Sequence, residues 1–224
     1  MREAFHHDLA KITDELVEMT RMTSSAITRA TTALLDADVH LAESVIEGDR
    51  AIDRVRENLD ELSFDILARQ APVASDLRTV VTSMRMSMDL ERMGDLARHV
   101  AKVARLRYPS SAVPPELRAT VLQMGQVAER IVAKTGSIIA ANDVVAAKEL
   151  EQDDDEMDAL HRHLYASISS GSWSPEQAVD LTLIGRYYER FADHAVSIAA
   201  RVIYLVTGSY DAIAQEDSDL TDEA

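Results

Sequence analysis

The sequence predicts an all-α protein made of two tandem repeated three-helix bundles, six long helices in all. Turn and strand formers are scarce: the 224 residues include 7 Gly, 5 Pro, 6 Tyr, 3 Phe and 1 Trp. Between the few breakers run long stretches of Ala, Leu, Met, Arg, Glu and Asp, residues that favour helix. The third observation is a repeat. Glu91-Arg92-Met93-Gly94-Asp95-Leu96-Ala97 returns as Glu189-Arg190-Phe191-Ala192-Asp193-His194-Ala195, with Glu, Arg, Asp and Ala in the same spacing.

The first helix is expected from Glu3 to about Leu35, with Leu9, Ile12, Leu16, Met19, Ile27 and Leu34 at helical spacing. Asp36-Ala37-Asp38 then makes a turn whose aspartate can cap the next helix. The second helix runs from about Val39 to Ala68 and is broken at Gln70-Ala71-Pro72, because proline lacks the amide donor and restrains its predecessor. A third helix follows from about Val73 to Leu106. Three prolines between Tyr108 and Pro115 mark a linker, 108–115, separating repeats at 1–107 and 116–207. The fourth helix spans about Glu116 to Ala141, Asn142-Asp143 turns the chain, and the fifth ends near Ser169. Ser174-Pro175-Glu176-Gln177 reads as N-cap, N1 proline and capping-box Gln for the sixth helix, which ends near Thr207-Gly208. Residues 208–224 are acidic and unpatterned, and are expected to be a disordered tail.

The halves align at two offsets. At 105, Asp38, Ala42, Asp49 and Asp53 match Asp143, Ala147, Asp154 and Asp158; at 98, Glu91, Asp95 and Ala101 match Glu189, Asp193 and Ala199. The offset falls by seven across the hairpin joining the second and third helices of each half. Two helical turns are therefore lost, about one per arm. Helices of about 30 residues reach about 45 Å, so each half should be elongated.

Net charge is −16; six acids and no bases follow Thr207, which leaves about −10 before it. Such a surface disfavours nucleic-acid backbones and anionic lipid. There is no cysteine, which excludes disulfides and thiolate chemistry. The N-terminus lacks the apolar core of a signal peptide, and the most apolar run, Ala195 to Val206, is interrupted by Arg201 and too short to span a bilayer. A cytoplasmic location is expected.

Four acid pairs at i, i+4 recur, two per half: Asp49/Asp53, Glu91/Asp95, Asp154/Asp158 and Glu189/Asp193. Residues so spaced are neighbours on a helix, where like charges repel. Helical phase places Glu91/Asp95 and Glu189/Asp193 away from the core stripes Leu90–Met93–Ala97–Val100 and Ile184–Tyr188–Ala195–Ile198, on the outer surface of each bundle. Clustered carboxylates suit Mg²⁺, Mn²⁺ or iron, and a nearby imidazole admits Zn²⁺. His161, in the slot that Arg56 fills in the first half, is the histidine best placed as a ligand; His99 is less so, and His194 reads as a packing or partner residue. Arg50 and Arg98 make the first-half face less acidic. The competing reading is a solvated acidic face, with Glu91 or Asp95 pairing with Arg98 and Asp53 with Arg56.

The duplicated E-R-x-x-D, preceded in each half by D-x-x-x-D, resembles the PhoU family of phosphate-signalling regulators. Gln70 to Arg78 and Asp89 to Asp95 extend the resemblance, which covers about residues 5–207. It implies two three-helix bundles with metal clusters on the acidic motifs: Asp49, Asp53, Glu91 and Asp95, then Asp154, Asp158, Glu189 and Asp193. It also implies a non-catalytic adaptor. The partners would be the ATPase subunit of the high-affinity phosphate transporter and a sensor histidine kinase, with recruitment to the inner face of the membrane through them. The adaptor would restrain uptake and starvation genes when phosphate is plentiful. A homodimer is expected. The alternatives are a ferritin-like di-metal carboxylate oxidase and a metal-free helical scaffold; the oxidase needs inward-facing Glu and paired E-x-x-H motifs, which the sequence lacks.

Overall fold

The computed structural model describes residues 2–209. Among them it contains six α-helices and no strand: α1 Arg2–Asp36, α2 Val39–Gln70, α3 Ala74–Arg107, α4 Arg118–Ala141, α5 Val144–Ser170 and α6 Pro175–Thr207. All but the first two residues of the expected tail lie outside the described residues. The caps arise at the turns where the chain was expected to break. Asp38 accepts from the Leu41 amide at 2.9 Å, and Asp143 accepts from the Val145 and Ala146 amides at 3.0 Å. Ser174 and Gln177 exchange both capping-box hydrogen bonds. The left-handed residues Asn142 (φ 50°) and Gly208 (φ 80°) end α4 and α6. The fourth helix starts two residues later than expected, because Pro115–Leu117 first forms a 3₁₀ turn.

The seven-residue shift between halves resolves into its parts. From Asp53 to the end of α2 is 17 residues, against 12 from Asp158 to the end of α5. From the start of α3 to Glu91 is 17, against 14 from the start of α6 to Glu189, and the second loop is one residue longer. Each arm of the second hairpin is therefore shorter by roughly one turn.

Helices α2, α3, α6 and α5 lie side by side in that order, and α1 and α4 pack beneath them as a second layer. The halves are joined by α3 against α6 and α1 against α4, so one hydrophobic core runs through both. Both crossings are antiparallel. Arg78 reaches the Leu205 carbonyl, Asp89 meets His194, and Arg107 meets Asp180, while Arg118 at the start of α4 bonds the Leu35 carbonyl and Asp36 at the end of α1. This is the pairing expected of two repeats related by a pseudo-twofold axis. The linker is part of the packing, with Ala112 and Val113 buried.

The α1–α4 crossing is close because α4 presents glycine. A Cβ on Gly125 would lie 2.5 Å from Thr31 Cγ2, and one on Gly136 2.5 Å from Thr20 Oγ1. Thr31 in turn shares a 2.7 Å hydrogen bond with the fully buried Tyr188 hydroxyl. Helix propensity alone would reward Gly→Ala by up to about 1 kcal/mol. Overpacking costs about 1–3 kcal/mol, so Gly125→Ala should lose about 1 kcal/mol net in chemical denaturation. Gly48→Ala, with nothing within 4 Å of the new methyl, should gain stability. Equal shifts for the two would show that α1 and α4 do not pack this closely.

Candidate metal centre

In the first half, the α2–α3 seam brings Asp49, Asp53, Glu91 and Asp95 into one neighbourhood. Gly94 permits it: a Cβ there would sit 2.9 Å from Ile52 Cδ1 and 3.4 Å from Asp49 Oδ1. Asp49 is only 4% exposed. Its carboxyl is pushed up to about 6, chiefly by burial; Arg98 opposes the shift, while Asp53, Asp95 and Glu91 add to it. The Glu91 carboxyl is raised by burial and then by Asp95. A cation is already present among these acids. The Arg98 guanidinium donates to both Asp49 and Asp95 and so bridges the two helices. Arg92 reaches Asp95 at 3.0 Å and Glu91 at 3.7 Å, from a more exposed position.

Among the described residues of the second half, the arginines beside the acids pair within their own helix, Arg186 with Glu189 and Arg162 with Asp158. The position matching Arg98 is Val196. Asp154 and Asp158 on α5 face Glu189 and Asp193 on α6, and the Asp154 carboxyl is pushed up to about 7. Burial is the main cause, followed by Asp158, Asp193, Glu189 and Asp155, every one of which raises it. Glu189 is also raised, by burial and Asp193, against the pull of Arg186 and His161. Arg186 occupies one Glu189 oxygen. The other, Oε2, and His161 Nε2 are both buried without a hydrogen-bond partner. Buried polar atoms left unpaired are costly, so a site containing both an oxygen acceptor and an imidazole nitrogen is chemically unfinished. Gly185 admits His161 to this seam, since a Cβ there would lie 3.2 Å from the imidazole Cδ2.

Oxygen and imidazole donors of this kind suit Zn²⁺, Fe or Mn²⁺, with Mg²⁺ favoured where carboxylates alone would bind. The residues of the second half fit a cation; those of the first already hold a guanidinium. Among the described residues, no three His, Asp or Glu groups converge tightly enough to enclose an ion. Holding an ion would therefore require rotation of side chains such as Asp193, which is exposed.

The expectation of an outer-surface site needs correction. Asp49 is buried, and Glu91, Asp95 and Glu189 are 23, 16 and 15% exposed at their side chains, within seams between helices. Helical phase separates a residue from one core face but does not reveal a second neighbour in the same layer. Arg56 also pairs with Asp60 at 2.6 Å rather than with Asp53. His194 proves to be a link between the halves: its Nδ1 lies 3.1 Å from Asp89, which also accepts from Arg201 Nε at 2.7 Å. Arg201 stands alone in the apolar run from Ala195 to Val206, and that isolation was a signal that it needs a partner.

The PhoU domain family model matches the chain twice, over residues 16–104 and 121–202. The chain belongs to the PhoU family. Family relatives include "Phosphate-specific transport system accessory protein PhoU homolog 2" of Mycobacterium tuberculosis, 43% identical over 94% of this chain and 100% of that protein. Homolog 1 of Mycobacterium leprae is 42% identical over 94% of this chain and 96% of that one. The crystal structure of PhoU from Pseudomonas aeruginosa superposes with a TM-score of 0.83 at 31% identity, covering 92% of this chain and 100% of that one. The phosphate transport system regulatory protein PhoU of Streptococcus pneumoniae gives 0.78 at 26% identity, with 92% and 98% covered. The family's two-fold repeat thus falls on the two helical halves, and the acidic motifs of each half lie inside a matched segment.

Proposed function

We propose that this chain is a regulatory accessory protein of phosphate transport. In this reading it joins the transporter's ATPase subunit to a sensor histidine kinase and restrains uptake and starvation-gene expression when phosphate is plentiful. The observation that carries the reading is identity of about 40% over almost the whole length to phosphate-specific transport accessory proteins. No helix among the described residues is long and apolar enough to cross a membrane, so contact with the transporter would run through its subunits. The reading includes self-association as a homodimer and assigns no catalytic step.

The second-half residues Asp154, Asp158, Glu189, Asp193 and His161 would hold one or more cations. Bound there, a metal would neutralise the repelling carboxylates and crosslink α5 to α6. The chain's own residues determine what that surface becomes: Arg186 holds Glu189 until a cation competes for it, and Gly185 keeps His161 within reach. In the first half, Arg98 supplies the same neutralisation between α2 and α3.

Affinity capture on the folded chain, from cells grown with ample phosphate, tests the adaptor. Both the sensor kinase and the transporter ATPase should be enriched over a bait of similar charge. Enrichment of neither would sink the reading. Deletion should raise starvation-gene expression in phosphate-rich medium where no second homologue compensates.

A further inference from the structure

Between the two acidic seams lies a feature of opposite sign. Where α3 crosses α6 there is a groove of about 490 Å³ whose walls carry Arg92, Arg186 and Arg190, with His99, Tyr187 and His194 also facing it. The repeat explains the convergence. Arg92 and Arg190 occupy equivalent places in the two E-R-x-x-D motifs, and the antiparallel crossing of α3 and α6 falls near Met93 and Phe191. Equivalent arginines beside a pseudo-twofold axis enter one groove from its two sides. In a chain of net charge −16, three guanidinium groups share this groove with one carboxylate, Asp95.

The donors are incompletely used. Arg190 makes no hydrogen bond or ion pair among the described residues. Arg92 spans Asp95 and Glu91 at 3.0 and 3.7 Å, and Arg186 holds a single Glu189 oxygen, which leaves further N–H groups on both. His99 packs its ring on Tyr187 with centroids 5.3 Å apart, and its Nδ1 is buried with no partner. Burial, then Lys102, hold that imidazole below its ordinary value. A neutral ring still has one N–H to donate.

We propose that this groove binds a tetrahedral oxyanion of the phosphate class, free or carried as the phosphoryl group of a small molecule. Arg190 and Arg92 grip it from the two repeats, and Arg186 and His99 complete the set of donors. Planar guanidinium forks match such oxygens with two parallel hydrogen bonds each, which a scattered basic surface does not provide. The walls formed by Tyr187 and His99 and the size of the groove leave room for more than one phosphoryl group. The site draws on residues at the junction of the repeats, so it stands whether or not the chain acts as an adaptor.

Isothermal titration of the full chain tests this at fixed ionic strength, after dialysis against chelator so that a bound cation contributes nothing. The probes are inorganic phosphate and, separately, adenosine 5′-diphosphate. At least one should bind saturably; a phosphate response identifies the free ion, and a response to the diphosphate alone identifies a carried phosphoryl group. Arg190→Ala and Arg92→Ala should each weaken binding tenfold or more, with Arg190→Lys intermediate and Arg21→Ala, on a distant surface, unchanged. Circular dichroism confirms that each variant is folded. Absence of saturable binding by both probes at millimolar concentration overturns the proposal and leaves the groove to an acidic protein surface. An equal loss in Arg21→Ala overturns it too, because the attraction would then be general charge.

Discussion

Arg98→Val should do two opposite things: weaken the metal-free protein and raise the amount of metal it can hold. Arg98 is the cation between Asp49 and Asp95, and Asp49 is 4% exposed. Without Arg98 the Asp49 carboxyl, already raised to about 6, takes up a proton instead of remaining a buried charge, and the lost hydrogen bonds should cost about 1–3 kcal/mol. The substitution also makes the first seam resemble the second, where Val196 stands at the equivalent position. Bound cation should then restore much of the lost stability, because anything that binds only the folded state stabilises it. In the wild-type chain, metal should depend on the second seam alone. Glu189→Ala with Asp193→Ala should lower bound metal by more than about tenfold, while Asp49→Ala with Asp95→Ala leaves it near wild type. Elemental analysis of protein purified without chelator, together with denaturation curves with and without added Zn²⁺ or Mn²⁺, reads both effects. Negligible metal in every variant would remove the metal site and leave the helical scaffold standing. Equal dependence on the two acid pairs would show that Arg98 does not substitute for a cation.

The fold was legible because its signals are local. Asp38, Asp143 and Ser174 cap helices through atoms within three residues of themselves, and the repeat offset records the hairpin arms turn by turn. The acid pairs were legible for the same reason, since i, i+4 spacing fixes their adjacency on one helix. What each pair meets across a seam was not. Arg98 lies four residues beyond Gly94 on its own helix, yet its role depends on Asp49, forty-nine positions away. Nor does periodicity show that α3 has neighbours on both sides, α2 and α6. Asp49 was therefore assigned to the surface although it is buried. The meeting of Arg92 with Arg190 depends likewise on an antiparallel crossing that no single helix encodes.

The second seam should give the metal-free protein an unusual dependence on pH. Asp154 has its carboxyl raised from 3.8 to about 7 in the folded chain. Below about pH 4 it is protonated in both states and contributes no difference. As pH rises from about 4 to about 7, the unfolded chain ionises while the folded one keeps its proton, so folding becomes progressively less favourable. Above pH 7 both forms are ionised and the full penalty remains. Asp154→Asn removes the group that carries this penalty. Because the residue is still partly open to water, which screens the repulsion, the gain at pH 8 should be about 1–2 kcal/mol, falling to nothing near pH 4. Thermal melts across that range in chelator measure it, and a variant that melts with the same pH slope as wild type would show that Asp154 is not strained. Metal should invert the slope. Carboxylates and imidazole must be deprotonated to bind, so a cation adds more stability as pH rises, over the same interval in which the empty site loses it. The same cluster that destabilises the metal-free protein at neutral pH is thus the part best able to make its folding respond to a cation. In the first half Arg98 takes that place, and there the response should be weak.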